Sequence, residues 1–468
     1  MKIQSENFAK AAQKAIADAD LQSAVSFGTN LAYTKRKSAV FVSGQDHGEQ
    51  IRQQAAQIKR HALNNLPQLL EQAEQQMQKN GIKVLWAKDA AEANQKVLEI
   101  IQQKQAKKVI KSKSMVSEEI AMNDFLEKNG VQVIESDLGE YIIQISGDHP
   151  SHIVVPVVHR TKASIRDTLM QKIGMPHTDD AQTMTHFVRG HLRKEFLEAD
   201  IGISGGNFII AESGSLCLAT NEGNGRMVTS LPPVHIAVVG IEKVIPTLED
   251  YATLTQMLPR SATGQSMAVY TNIINGPRRK DEEDGPQEVY VVFLDNGRSE
   301  IYSSGYTEAL ACIRCGACLN ACPVYRVSGG HSYGWVYPGP IGAVVTPLLV
   351  GLNKASPLPN ASSLCGSCKQ VCPVVIDIPR MLLDLRHDLT KQKKSSKTWK
   401  IGMYIWAKSN RSEKWYKMTG RLIKASRYLP ISKLPGLLKN WTRFREMPQP
   451  AAKSFHDIWQ DGLKDEDK

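Results

Sequence analysis

The spacing of apolar and polar positions differs between successive segments of the chain. Residues 1–80 are polar, with apolar residues spaced three or four positions apart. The stretch 63–77 shows this spacing most clearly, and Pro67 suits the first turn of a helix. We therefore predict a helical N-terminal segment over residues 1–80.

From residue 81 onward, short apolar runs alternate with amphipathic stretches. The runs 81–87, 107–112 and 131–136 predict strands, whereas 89–101 and 117–129 predict helices, the first with Asp89 as its N-cap. More strand-like runs follow between about residues 197 and 245. Strands that alternate with helices favour a parallel sheet covered by helices. We predict one α/β domain over residues 81–300, with the charged run 278–285 as an exposed loop.

The last third of the chain changes texture twice. Residues 301–390 suggest short helices joined by loops, and residues 391–468 are basic, aromatic and helical in pattern. The sequence has no uninterrupted apolar run of membrane-spanning length, and its polar N-terminus does not resemble a secretory signal. We expect a cytoplasmic protein.

Positive charge is concentrated near the C-terminus. The formal net charge is +11, and five of the seven tryptophans lie after Arg386. Basic residues and tryptophans at helical spacing suit a docking face for a partner protein, an interfacial helix on the inner membrane face, or a helix packed on its own protein. We leave these three open and expect no nucleic acid partner.

Seven of the eight cysteines form two unequal motifs. The first is Cys312-x2-Cys315-x2-Cys318-x3-Cys322 and the second is Cys365-x2-Cys368-x3-Cys372, and a proline follows the last cysteine of each. This spacing is typical of two-cluster ferredoxins, in which the last cysteine of each motif ligates the other cluster. Zinc sites more often show two separated CxxC pairs. We therefore predict two [4Fe-4S] clusters.

The crossing rule assigns the ligands. The ligands of cluster one are Cys312, Cys315, Cys318 and Cys372, and those of cluster two are Cys322, Cys365 and Cys368. Cluster two then lacks one cysteine, and the missing position in the motif is occupied by Ser362. Three alternatives stay open for cluster two. It has only three irons, its fourth iron has a serine or water ligand, or its fourth iron takes another side chain, for which Cys217 is a remote candidate.

Other candidate residues are weaker. Residues 329–342, rich in glycine, proline and aromatic residues, suit a loop that shields a cofactor. Carboxylates at strand ends would be the first candidates if the α/β domain were an enzyme, namely Glu135, Asp137 and Glu212 together with Ser213. The scattered histidines show no convincing metal spacing, and Cys217 lies in an apolar run typical of a core.

The chain resembles the lactate utilization protein B family almost from end to end. The resemblance is carried by the motifs 111–119, 135–140, 209–215 and 221–226, the two cysteine motifs and the motif 337–342. It implies an α/β domain related to the sugar-phosphate isomerase and CoA-transferase-like group. It also implies electron transport, with two companion proteins and a downstream acceptor, in the oxidation of L-lactate to pyruvate. Cluster two is then four-iron despite its three matched cysteines.

An alternative gives the α/β domain its own redox or acyl/CoA-type activity, with the clusters acting locally. We expect an electron carrier that has no catalytic activity alone, and no catalytic residue is assigned.

Overall fold

The computed structural model describes residues 2–392, 397–425 and 449–462. The chain divides into two compact units, Met1–Asp388 and Leu389–Lys468. The helices of the described residues are α1 Phe8–Ala17, α2 Ala19–Val40, α3 Gln45–Asn64, α4 Leu66–Lys79, α5 Ala90–Gln103, α6 Met115–Glu119, α7 Met122–Lys128, α8 Leu138–Ser146, α9 Lys162–Ile173, α10 Ala181–Glu198, α11 Asn224–Ser230, α12 Leu248–Ala262, α13 Arg298–Tyr302, α14 Ala317–Ala321, α15 Pro323–Ser328, α16 Gly339–Val350, α17 Ser367–Val371, α18 Ile378–Lys391, α19 Lys397–Ser409, α20 Glu413–Ala425 and α21 Phe455–Asp461. The strands are β1 Lys83–Ala87, β2 Lys108–Lys111, β3 Gln132–Glu135, β4 Ile201–Ser204, β5 Phe208–Ile210, β6 Ser215–Thr220, β7 Val234–Gly240, β8 Val244–Ile245, β9 Tyr270–Ile274 and β10 Glu288–Leu294.

A six-stranded parallel sheet forms the centre of the first unit. Its order is β1-β10-β7-β4-β2-β3, and each neighbouring pair is parallel. Every residue of β7 is buried, as expected for a central strand covered on both faces by helices. The predicted α/β architecture is confirmed. Loops that leave the carboxyl ends of β2, β3, β4 and β7 gather at one edge, where ligands bind in open α/β sheets.

A second, four-stranded sheet was not predicted. Its order is β8-β5-β6-β9, with antiparallel pairs on both sides of β6. The turn between β5 and β6 contains Gly214, whose φ is +64° and whose Cβ would lie 2.4 Å from the Met77 backbone nitrogen in α4. Only glycine fits this close approach. The contact fixes the N-terminal helices against the second sheet.

One predicted helix is interrupted. The stretch 117–129 was predicted as a single helix, but α6 ends at Glu119 and α7 starts at Met122. Ala121 between them has a φ of 51°, in the left-handed region, which a continuous right-handed helix does not permit. The break turns the end of α6 inward, so that Glu119 is buried.

The N-terminal helices connect the α/β part to the cysteine region. Helix α2 begins at its cap residue Asp18, whose carboxylate accepts a hydrogen bond of 3.0 Å from the Leu21 backbone nitrogen. It then packs against α12 on one side and against α14 and α15 on the other. Helix α3 packs against α12 and the segment Thr307–Ala311 before the first cysteine. Charged residues of α2 and α3 therefore reach the cysteines.

The described part of the second unit contains α19, α20 and α21. Helix α21 starts with a capping box, in which Ser454 and Asp457 exchange side-chain-to-backbone hydrogen bonds. Large apolar side chains are exposed on these helices, among them Trp406, Trp415 and Trp459. Basic and aromatic residues at helical spacing over residues 414–427 favour a helix; α20 extends to Ala425, and the last two residues of that stretch lie outside the described residues.

Within the described residues, none of the helices is both long enough and apolar enough to cross a membrane.

Candidate iron–sulfur sites and the adjoining cavity

The first cysteine motif wraps a tight turn. Arg314 and Gly316 both have positive φ, 60° and 74°, which curls the backbone before α14. The Arg314 backbone N–H donates to Cys312 Sγ at 3.4 Å. Cys322 caps α15, and its Sγ accepts from the Tyr325 backbone nitrogen at 3.4 Å. Backbone N–H groups aimed at sulfur atoms stabilise thiolates, the form that binds iron.

The four cysteines predicted for cluster one line one small cavity. Its other walls are largely apolar, with Ile153, Ile313, Ile341, Val374 and Ile376 among them. Cys372 comes from the second motif, and its Sγ accepts a hydrogen bond of 3.4 Å from the Ile376 backbone nitrogen. The structure therefore brings the last cysteine of the second motif to the first three cysteines of the first motif.

The three cysteines predicted for cluster two form a separate group. Helix α14, which ends at Cys322, packs against α17, which contains Cys368, and Cys365 lies two residues before α17. Burial raises the pKa of the Cys322 thiol and raises that of Cys368 to about 12. Cys365 is exposed, and its Sγ shares a hydrogen bond of 3.4 Å with Ser367 Oγ. This group of three cysteines therefore has one edge at the protein surface.

Cys217 does not belong to either group. It lies in β6, is fully buried in the core and is paired in register with Phe208 of β5. Burial raises its pKa to about 12. The suggestion that Cys217 donates to cluster two is wrong, because the strand holds it among core side chains.

Buried cations surround the cysteines of cluster one. Arg52 donates from Nη2 to the Cys372 carbonyl oxygen at 2.9 Å. Burial lowers the pKa of Lys59 to about 7 and that of Lys243 to about 8, while the nearby Cys312 favours their charged forms. Arg36 is only 5% exposed, and burial lowers the pKa of its guanidinium. Cys315 and Cys372 act in the opposite direction and raise this pKa.

Some of these cations have hydrogen-bond donors without acceptors. Within the described residues, Arg36 Nε and Nη2 and Arg314 Nη1 are buried and have no hydrogen-bond partner. Arg36 lies beside Cys315 and Cys372, and Arg314 lies beside Cys312. Buried donors are normally paired. Unpaired donors beside four thiols, around a cavity with apolar walls, fit a resident group that is negatively charged, as an iron–sulfur cluster with four thiolates is.

The glycine- and proline-rich stretch 329–342 lies against the first cysteine motif. Tyr333, Trp335 and Tyr337 are all buried. The Arg314 guanidinium lies 4.5 Å from the centroid of the Tyr337 ring, and the Tyr337 hydroxyl donates to Glu119 Oε2 at 2.6 Å. The stretch thus places buried aromatic rings beside the first motif and holds Arg314 against the Tyr337 ring.

A buried ionic network supports this wall. Arg298 Nη2 lies 2.8 Å from Glu119 Oε2, and Arg298 Nε lies 2.7 Å from Glu242 Oε2. Burial alone would raise the pKa of Glu242, but Arg298 and Lys243 hold it at about 2. All of these side chains are at least nine-tenths buried. The network ties α6 and α13 to the loop after β7.

A larger cavity of about 690 Å³ lies at the carboxyl ends of the parallel strands. Its walls are mostly apolar, and its polar lining includes Lys113, Asp137, Glu222, Lys243 and Arg314. Arg314 belongs to the first cysteine motif, so the cavity and cluster one share a wall. Lys243 is 6% exposed, and no hydrogen bond of its side chain is found within the described residues.

The candidate acid–base residues do not meet there. Asp137 caps α8 and lines the cavity, whereas Glu135 pairs with Lys111 at 2.7 Å below the sheet edge. Glu212 accepts a hydrogen bond of 2.6 Å from the Leu248 backbone nitrogen, and Ser213 bonds Ser215. The structure does not bring together the four residues that would be the first candidates in an enzymatic α/β domain, because three of them hold local structure elsewhere.

Two histidines and a carboxylate meet at the loop before α9. A carboxylate oxygen of Asp148 and one imidazole nitrogen each of His159 and His331 lie within 4.8 Å of one another, and atoms of these kinds can bind metal ions. His159 Nε2 lies 2.9 Å from Asp148 Oδ2, its Nδ1 lies 2.7 Å from Ser151 Oγ, and His331 Nε2 is bonded to the His149 carbonyl at 2.6 Å. These hydrogen bonds give the group a structural role between the α/β part and the stretch 329–342.

Sequence analysis missed the cations Arg36, Arg52 and Lys59. They lie on the buried faces of α2 and α3 among apolar residues, although a charged residue of an amphipathic helix ordinarily faces water. The only available signal was basic residues within long amphipathic helices, and that pattern does not distinguish solvent from a buried anionic group.

Comparison with known proteins gives three successive family matches. A LUD domain matches residues 70–294, a 4Fe-4S dicluster domain matches residues 308–376, and a domain described as lactate utilisation protein B, C-terminal matches residues 386–463. A crystal structure of a DUF162 family protein from Deinococcus radiodurans is 16% identical in sequence, with a TM-score of 0.26. The alignment covers 49% of this chain and 98% of the DUF162 chain.

Full-length relatives carry the same name. Lactate utilization protein B from Bacillus cytotoxicus is 44% identical over 474 residues, and its counterpart from Bacillus cereus is 44% identical over 475 residues. Both alignments cover all of this chain and all of the relative. Together with the dicluster domain at the cysteine motifs, these matches confirm the resemblance: the chain belongs to the lactate utilization protein B family.

Proposed function

We propose that this protein is an iron–sulfur electron-transfer subunit of a multi-protein system that oxidises L-lactate to pyruvate and allows growth on lactate. The observation that carries the proposal is the exchange between the two motifs. Cys372 joins Cys312, Cys315 and Cys318 around one cavity, while Cys322 lies with Cys365 and Cys368. Exchanged ligands bring two clusters close together, as an electron carrier requires.

The side chains have distinct roles in this proposal. Each thiol gives up its proton when it binds iron and becomes a thiolate ligand. The bound clusters supply reversible one-electron chemistry. Arg36, Arg314 and Lys243 compensate negative charge at cluster one, and Tyr337 and Ile341 keep water away from it. Cys365, which is exposed, marks the edge through which electrons pass to or from a partner.

Finer parts of the proposal concern fold, partners and location. We propose that the helical N-terminal segment spans residues 1–80 and the α/β domain spans residues 81–300. The iron–sulfur domain then spans residues 301–390, and the C-terminal region spans residues 391–468. The α/β domain is related to the CoA-transferase and sugar-phosphate isomerase group in this proposal. Two companion lactate-utilization proteins and a downstream acceptor would be the partners. The exposed tryptophans of α19 and α20 support docking of a partner or of the inner membrane face in the cytoplasm.

The test removes one ligand of cluster one. In the assembled system with both companion proteins, Cys318→Ala should abolish reduction of the acceptor by L-lactate and lower the iron content. Cys217→Ala, which changes a buried cysteine outside both groups, is the control and should keep the iron. If lactate oxidation persists at the wild-type rate after cluster one is lost, electron transfer is not the role of this chain.

A second candidate function gives the α/β domain its own activity. The supporting observation is the cavity of about 690 Å³, which holds the buried Lys243 and shares Arg314 with cluster one. An organic acid bound to these cations would lie beside cluster one. Turnover of L-lactate by the purified chain alone, with an artificial acceptor and without companions, would favour this second function; a carrier shows none.

A further inference from the structure

The two cysteine motifs are structural copies of one another. In each motif a left-handed glycine precedes a helix of five residues, Gly316 before α14 and Gly366 before α17, with φ values of 74° and 83°. In each, a cysteine with extended backbone ends the helix, Cys322 with ψ 119° and Cys372 with ψ 121°. Proline follows both. The local fold of the second motif is therefore that of a complete cluster-binding turn.

The copy extends to the position where the second motif has no cysteine. Arg314 and Leu364, each one residue before a cysteine, have φ values of 60° and 57°. The Arg314 N–H donates to Cys312 Sγ at 3.4 Å, and the Leu364 N–H donates to Ser362 Oγ at 3.1 Å. Ser362 Oγ thus occupies the position in its turn that a ligand sulfur occupies in the first motif.

Nearby contacts fix this segment. Arg386 donates from Nε to the Pro359 carbonyl at 2.8 Å and from Nη2 to the Ser362 carbonyl at 3.1 Å. Ser362 is half-buried. Ser367 bonds Cys365 instead, and the Ser363 side chain also acts on Cys365. These two serines hydrogen-bond a ligand sulfur, whereas Ser362 occupies the ligand position itself.

We propose that Ser362 Oγ is the fourth protein ligand of cluster two, beside Cys322, Cys365 and Cys368. The assignment rests on the proposed function, because it requires that cluster two is present. On binding, the hydroxyl loses its proton to solvent, and the resulting alkoxide forms a bond to the fourth iron. No electron is transferred in this step. An oxygen ligand at one corner makes cluster two four-iron with only three cysteines.

The experiment compares the full-length wild type with Ser362→Ala, Ser362→Cys and Ser356→Ala, all purified anaerobically; Ser356 is a half-buried serine outside the cysteine motif. Iron and sulfide are counted, and EPR spectra are recorded before and after oxidation with ferricyanide. Wild type and Ser356→Ala should retain about eight irons per chain through oxidation. Ser362→Ala should lose about one iron and develop a three-iron signal. Ser362→Cys should retain its iron but change the EPR signal of cluster two, because a thiolate replaces the alkoxide.

Two results would overturn the serine ligand. One is a Ser362→Ala protein with the iron retention and EPR signals of the wild type. The other is a wild type whose cluster two is three-iron and takes up no further ferrous iron under reducing conditions. Failure of the proposed function looks different: wild type would then hold no iron, or Cys318→Ala and Cys365→Ala would leave the iron content unchanged.

Discussion

Arg298 is a single residue on which the wall of cluster one depends. Its guanidinium pairs with Glu119 at 2.8 Å and with Glu242 at 2.7 Å, and all three side chains are almost completely buried. Removing one partner of a buried ionic network leaves the others charged and unpaired, which costs about 3–5 kcal/mol. Glu119 also accepts the hydrogen bond from Tyr337, so the effect extends to the loop over cluster one.

We therefore predict that Arg298→Met destabilises the protein by about 3–5 kcal/mol. Thermal unfolding of the anaerobic protein should show a clearly lower midpoint. Arg380→Met is the matched control: Arg380 is 76% exposed and lies 3.7 Å from Asp384, and such surface pairs contribute about 0–1 kcal/mol. Equal midpoints for the two variants would contradict the structural role of the buried network.

At the level of elements, α2 and α3 give cluster one its charged surroundings. Arg36 from α2 has buried donors without partners among the described residues and lies beside Cys315 and Cys372. Reduction adds negative charge to a cluster, and a nearby buried cation favours the reduced form. On the side of the second group, Arg326 is half-buried, its charge acts on Cys322, and its Nε donates to the Asn320 carbonyl oxygen at 2.8 Å.

We predict that Arg36→Gln lowers the midpoint potential of cluster one, by an amount on the order of tens of millivolts at the effective dielectric of a buried site. Arg326→Gln is the crossed control and should lower the potential of cluster two instead. An EPR-monitored redox titration measures both clusters in one sample. If Arg36→Gln leaves cluster one unchanged, or shifts both clusters equally, the assigned pairing of cation and cluster is wrong.

The same elements show how far the sequence was informative. The parallel strands were predictable because each is a short apolar run, as in β7 and β10. The second sheet was not, because β5 and β8 pair across 34 residues and no local pattern indicates such pairing. The break at Ala121 could not be predicted, because no glycine or proline lies there to indicate the end of a helix. Ser362 was identified by counting positions, but its side-chain placement follows only from the folded turn.

On the scale of the whole molecule, the second compact unit is distinct from the unit that holds the cysteines. Its helices expose large aromatic side chains, with Trp406 61% and Trp415 48% exposed. Isolated exposed tryptophans are rare, and in interfaces they often carry much of the binding energy. The basic residues between them give the same helices a positive charge. Such a unit suits contact with a partner more than support of the clusters.

We predict that Trp406→Ala and Trp415→Ala each weaken coupling to the proposed companion proteins and leave iron content and EPR signals unchanged. The chain concentration needed for half-maximal lactate-driven acceptor reduction should rise roughly tenfold, because loss of a buried interface tryptophan commonly costs more than about 1 kcal/mol. Leu248→Ala is the control, since Leu248 is 50% exposed on the first unit. If coupling is unchanged but the variants detach from anionic vesicles that bind the wild type, the helices contact a membrane surface instead. If neither property changes, these tryptophans have no binding role.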